Sequence, residues 1–163
     1  MKEKLPFTKT QKILEILSLI IMIGTFIYVI ITWNSLPDTL ASHYNALGEA
    51  DAWSGRSTIL ILPIFTVFLY ALLTGVLFIS PEMMNSPIEV TPDNRSYVQK
   101  VSRDLICTLK LVVICDFTYM TLCTAMEKTL SPLFLPILLG SAFIPTIVCI
   151  AKMFRYKKKN ISK

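Results

Sequence analysis

A single histidine, His43, sits in a polar stretch with Asp38, Asn45 and Asp51 close by in the 163-residue chain. These four side chains could converge as oxygen and nitrogen ligands. Alternatively, the imidazole is held by Asp51 or a backbone group as part of a hydrogen-bonded cap. One imidazole among irregularly spaced acids is a poor metal signal, because catalytic zinc sites bring more nitrogen or sulfur donors. Neither a metal nor a cofactor is expected. The four cysteines, Cys107, Cys115, Cys123 and Cys149, have no C-x-x-C spacing, and are read as free buried thiols. No G-x-S-x-G, H-E-x-x-H or paired-acid motif supplies a nucleophile and base, so the chain is not expected to be an enzyme. One further residue has chemistry out of keeping with its surroundings: Asp116, in the middle of an otherwise oily run.

The elements that must position these residues are set by hydropathy. Hydrophobic residues make up 53% of the chain and the mean hydropathy is +0.60. Ile16 to Pro37, Ser57 to Pro81 and Thr129 to Ala151 contain no charge at all. Leu105 to Ala125 is interrupted only by Lys110 and Asp116. Each run reaches the ~20 residues a helix needs to cross ~30 Å of hydrocarbon. Helices are required over strands because an unpaired amide in lipid costs several kcal/mol, and the runs lack the alternation of a barrel strand. The sequence therefore predicts an all-α integral membrane four-helix bundle, a single membrane domain over 1–163, with helices near 11–33, 57–79, 92–125 and 132–154. Lys12 and Glu15, in the first turns, are placed to reach back toward headgroups. Pro63 is expected to weaken the start of helix 2. Thr91-Pro92-Asp93 has the form of a helix start. It makes helix 3 a long rod whose first part, through Arg103, projects from the bundle with a solvated, mixed-sign face. Pro136 and Pro145 around Gly140-Ser141 predict a kinked, closely packed helix 4.

Charge gives the orientation. Of the 16 basic residues, all but Arg56, Lys128 and Lys110 precede helix 1, join helices 2 and 3, or follow helix 4. Basic segments stay cytoplasmic, which predicts both termini inside and a structured extracellular loop, Leu36 to Arg56, between helices 1 and 2. The net charge of +5 then marks a surface facing membrane lipid, and nucleic acid is not needed to explain it. Asn94-Arg95-Ser96 and Asn160-Ile161-Ser162 fit the glycosylation pattern but fall on the inner side. Tyr44 and Trp53 are amphipathic rings able to rest on headgroups. Asp116 falls near the bilayer centre, where a charge costs at least ~2.5–3.5 kcal/mol. It is either an ion site or a buried acid satisfied by Tyr119 or by a hydroxyl on another helix.

The ordered series Pro37, His43-Tyr44-Asn45, Gly48 and Asp51-x-Trp53, followed by Ser54-Gly55-Arg56 and a helix with Pro63, resembles a bacterial membrane-protein domain of unknown function. That domain lies at the N-terminus of the SdpI family of sporulation-delaying-toxin immunity proteins. The family pattern has phenylalanine where Tyr44 stands and usually lysine where Arg56 stands. The resemblance covers about 11–75, and the family's second domain is not recognised in helices 3 and 4. It implies a multi-pass bacterial cell-membrane protein and, in the best-understood branch, toxin immunity with signalling through a captured soluble regulator. Two functions are therefore expected to compete. One is immunity or sensing, through contact of the outer loop with an extracellular peptide toxin and relay to a cytoplasmic regulator. The other is a small transporter or accessory subunit using Asp116 as a proton or cation site.

Overall fold

The computed structural model describes residues 5–161; Lys2, Lys4, Lys163 and Ser162 of the second glycosylation pattern lie outside that range. Four helices form: α1 (Lys9–Thr32), α2 (Ile61–Val76), α3 (Arg95–Ala125) and α4 (Phe134–Ile161). All four are long and apolar enough to cross a membrane once the short helical turn Arg56–Leu60 is joined to α2. The expectation of an all-α fold is corrected by a hairpin between α1 and α2. Strands β1 (Thr39–Tyr44) and β2 (Ala50–Gly55) pair antiparallel there. Thr39 is the only β-branched residue in the two strands, so strand propensity was weak. The fold is thus a helical membrane body with a two-stranded cap at one end, called here the hairpin end.

Polarity runs inside out relative to a soluble bundle. Gln11, Ser18, Thr25 and Val29 are the buried residues of α1, and they recur at the seam spacing of a helix pair. The opposite face of α1 exposes Ile27, Ile30 and Ile31, the last at 76%. Such a surface is stable only in lipid. α3 is the common neighbour: α1, α2 and α4 all pack on it. Its own buried stripe alternates Arg103, Cys107, Lys110, Ile114, Thr121 and Thr124.

Helix boundaries follow local chemistry. Thr8 and Gln11 form a reciprocal capping box at the start of α1, satisfying two otherwise orphaned amides. Pro63 has no amide to donate to Ile59, and the weakening expected there takes the form of a 3₁₀ turn, Arg56–Leu60, ahead of α2. α3 starts three residues later than Thr91-Pro92 suggested. Asn94 Oδ1 accepts from the Thr91 amide at 2.9 Å and its Nδ2 donates to Glu89 O, closing a turn first. α4 continues through Pro145.

The start of α3 is not a free-standing handle. Val98 is fully buried, and Val101 and Arg103 are 6% exposed. Ile88, Cys149 and Met153 pack on this segment from the connector and from α4, and Tyr97 stacks on Tyr156 at 4.1 Å. The mixed charges concealed an apolar face at helical spacing. In the connector, the Ser80 hydroxyl bonds the Glu82 carboxylate. That bond, with a backbone amide and Arg95 Nε at 2.7 Å, holds the Glu82 carboxyl down at about 2.

Candidate functional site

The hairpin is built by residues the sequence singled out, but in two distinct roles. Asn45 makes the turn. Its side-chain oxygen accepts from the amides of Leu47 (2.9 Å) and Glu49 (3.1 Å), and its Nδ2 donates to Glu49 Oε2. Gly48 has φ +83° and its carbonyl accepts from the Leu130 amide at 2.8 Å, so the tip is stapled to the α3–α4 turn. Tyr44 reaches α3, its hydroxyl 3.1 Å from Thr124 Oγ1. Leu40, 1% exposed, plugs a cluster of Val29, Leu36 and Ile59. Pro37 lies between the short turn Trp33–Ser35 that follows α1 and the start of β1. Arg56 closes the base, its amide bonding Asp38 O and its guanidinium lying 5.7 Å from the Trp33 ring.

The other motif residues face outward. The strand register skips Ser42 on β1 and Asp51 on β2. Irregularities of this kind re-aim side chains, and here His43 Nδ1 meets Asp51 Oδ1 at 2.5 Å. Their side chains are 67% and 44% exposed, and Trp53 is 62% exposed. Of the two readings of His43, the bond to Asp51 matches the cap; Asp38 pairs instead with Arg56 at 4.0 Å. Two clefts flank Tyr44 under the hairpin. One, about 260 Å³, lies toward α2 with Ile59, Leu62, Met120 and Thr121 in its walls. The other, about 310 Å³, lies toward α4 with Met120, Leu130, Phe134 and Leu135. Both include His43 and Tyr44 at the rim.

Burial raises the Tyr44 phenol above the usual tyrosine value, and the bond to Thr124 opposes this. The neutral phenol is thus the form the fold favours. Its contribution is complete below the ordinary tyrosine range and is lost as pH climbs through the raised value. Tyr44→Phe is expected to weaken hairpin docking by about 0.5–1.5 kcal/mol. Faster proteolysis near the exposed Leu47, with helix content unchanged, would report this. An unaltered cleavage rate would mean that Leu40 and Gly48 alone hold the hairpin.

A second polar constellation lies within the spans, and the sequence reading placed its members wrongly. Glu15 does not reach for headgroups. Its Oε2 accepts from Lys110 Nζ at 2.7 Å and from the Tyr70 hydroxyl at 3.0 Å. Lys110 also donates to Thr74 Oγ1 at 2.7 Å and lies 3.8 Å from the Tyr70 ring centroid. The Lys110 side chain is 0% exposed and that of Glu15 19%. The only sequence trace of the pair was one acid just ahead of the first apolar run and one base inside the run of helix 3. A contact between two helices ninety-five residues apart leaves no mark in the spacing of either one.

Asp116 is half-buried at the α3–α4 seam, with Ser141 Oγ 3.5 Å from its Oδ2. That hydroxyl also donates to Leu138 O at 2.9 Å. Its single hydrogen serves the shorter bond, so Asp116 is weakly held. Of the two partners expected for Asp116, the hydroxyl on another helix is Ser141, while Tyr119 instead accepts from the Ser131 amide at 3.0 Å. Cys107, Cys123 and Cys149 are buried free thiols as expected, whereas Cys115 is exposed on the surface of α3.

Four apolar spans with polar seams and a hairpin cap define a multi-pass membrane protein. Residues 20–67 match the family described as "Domain of unknown function (DUF1648)". This stretch runs from mid-α1 through the hairpin into α2. An uncharacterized protein of Archaeoglobus fulgidus is similar, 40% identical over 58 residues, which are 36% of this chain. The match spans 32% of that relative's length. No solved structure matches.

Proposed function

We propose that this is a non-catalytic protein of the bacterial cell membrane, with both termini in the cytoplasm, that uses its hairpin end to bind an extracellular peptide. In this reading it confers immunity to a toxin or senses one, as the resemblance to the SdpI family implies. The observation that carries it is the division of labour within the hairpin. Asn45 is consumed in making the turn, and Tyr44 and Gly48 in fixing the hairpin to α3 and to the α3–α4 turn. That leaves His43, Asp51 and Trp53 on a rigid, accessible face above two clefts. A mount this rigid lowers the ordering cost of binding, and an exposed indole is a typical contact anchor. A cytoplasmic regulator would meet the opposite end, where the connector and the basic tail of α4 lie.

Two measurements test this. Ala46→Cys, at the exposed tip, is expected to react with a membrane-impermeant maleimide in intact cells; reaction only after lysis would reverse the orientation. Expression in a strain sensitive to a membrane-active peptide toxin is expected to raise survival, with the gain lost in His43→Ala and Trp53→Ala. The same survival with and without the protein, across a toxin panel, would sink the immunity reading. The transport alternative draws on ionisable groups within the spans, now Glu15–Lys110 as well as Asp116. It requires ion flux in proteoliposomes that Asp116→Asn or Glu15→Gln abolishes and His43→Ala spares.

A further inference from the structure

At the end opposite the hairpin, Arg103 is only 6% exposed, and no described carboxylate forms an ion pair with it. Its Nε donates to Leu77 O at 3.2 Å and its Nη1 to Leu5 O at 2.8 Å, while its Cζ lies 4.9 Å from the Phe7 ring. These contacts use two of the five guanidinium N–H groups. Carbonyls and an aromatic face orient the cation but do not neutralise it, and a buried charge without a counter-charge is costly. The nearest acid in sequence, Asp104, is engaged by Gln11 Nε2 at 2.6 Å.

Arg103 forms one wall of a recess of about 340 Å³ between the segment ahead of α1 and the first turns of α3. Leu5, Pro6 and Tyr97 make its sides largely apolar, and Thr8, Ser96 and Lys100 bring hydroxyls and a second cation. Ser96 and Lys100 are exposed, so the polar part is reachable from solvent. The recess lies where the α1 and α3 spans begin, at Lys9 and Arg95. Arg103 and Lys100 stand just ahead of the apolar run that begins at Leu105, so insertion of that run would bring the recess near the bilayer phosphates.

We propose that this recess binds the phosphate of an anionic phospholipid headgroup, with Arg103 and Lys100 as its cations and the apolar sides against the lipid's glycerol and upper acyl carbons. A guanidinium fork suits phosphate geometry, and basic pockets between spans are a known mode of headgroup recognition. A free phosphate ion would use the same cations but would gain nothing from Leu5, Pro6 and Tyr97.

The test uses the full chain in nanodiscs of zwitterionic lipid, with and without phosphatidylglycerol, read by thermal unfolding and by native mass spectrometry of retained lipid. Phosphatidylglycerol is expected to raise the unfolding midpoint and co-purify at about one per chain. Arg103→Met would also sever the Leu5 and Leu77 contacts and is expected to misfold, so the working variants are Lys100→Ala and Ser96→Asp. Lys100→Ala is expected to weaken retention about fivefold, the equivalent of ~1 kcal/mol per basic residue near the surface. Lys158→Glu, an exposed basic position on the α4 tail, is expected to leave it unchanged. Equal losses in Lys158→Glu and Lys100→Ala would reduce the effect to diffuse charge and overturn the site. So would a midpoint raised by inorganic phosphate in zwitterionic discs but not by phosphatidylglycerol.

Discussion

Replacing Glu15 with alanine is expected to cost the folded protein about 3–5 kcal/mol, the range for breaking a buried ion pair by removing one partner. The variant leaves the Lys110 ammonium, 0% exposed, with only Thr74 Oγ1 at 2.7 Å and the Tyr70 ring at 3.8 Å. Neither carries a compensating charge. Lys110→Met is the complementary loss, leaving the Glu15 carboxylate with the neutral Tyr70 hydroxyl and without its counter-charge. The double variant Glu15→Leu/Lys110→Met is expected to cost far less than the sum of the two. It removes both desolvated charges together, and an apolar pair of similar volume is often neutral. Unfolding in mild detergent, followed by circular dichroism as a double-mutant cycle, measures the coupling. Additive losses would show that Glu15 and Lys110 act independently, and that water or headgroups reach both.

Gly48→Ala is the second large effect, and its origin is backbone geometry. The position has φ +83°, and an added Cβ would stand 2.4 Å from Leu130 O and 2.9 Å from Leu130 C. Those are main-chain atoms and cannot swing aside like a side-chain tip. The dihedral alone costs of order 1–3 kcal/mol for a residue with a Cβ. Relieving the contact must also break the Leu130 amide bond to Gly48 O, worth about 1 kcal/mol net. The hairpin tip is therefore expected to lift from the α3–α4 turn. Rapid cleavage at the tip and a lowered unfolding midpoint would report it, with the spans still helical. A protease pattern like that of the unaltered protein would mean that the tip has slack and the staple is not tight.

The four spans were legible because apolar runs of twenty residues, three of them free of charge and the fourth broken only by Lys110 and Asp116, have one physical solution in lipid. The same logic that located helices could not say which faces meet. Seam pairs such as Thr25 with Thr118 at 2.8 Å, or Glu15 with Lys110, join positions more than ninety residues apart. The loop shows the converse. Asn45 and Gly48 carry a turn signal in their residue types, but strands with a single β-branched residue hid the pairing, nothing marked Leu40, and no residue spacing foretold the register irregularity that brings His43 to Asp51. Asp116 drew attention because a lone acid in an apolar run is conspicuous. Glu15 escaped it because an acid near the end of a run has an innocent explanation.

The span that touches every other span is also the least oily. The 18-residue apolar window in α3 has a mean hydropathy of 1.8, against 2.5, 2.4 and 2.2 for the windows in the spans of α1, α2 and α4, and α3 carries both Lys110 and Arg103. α1 and α2 precede it in the chain and bear the Glu15 carboxylate and the Thr74 hydroxyl that hold Lys110, while Leu5 ahead of α1 and Leu77 just after α2 bear the carbonyls that hold Arg103. The third span can then partition from the insertion machinery as a guest of the first two, not on its own greasiness. A defect in α1 is therefore expected to surface as failed integration of α3.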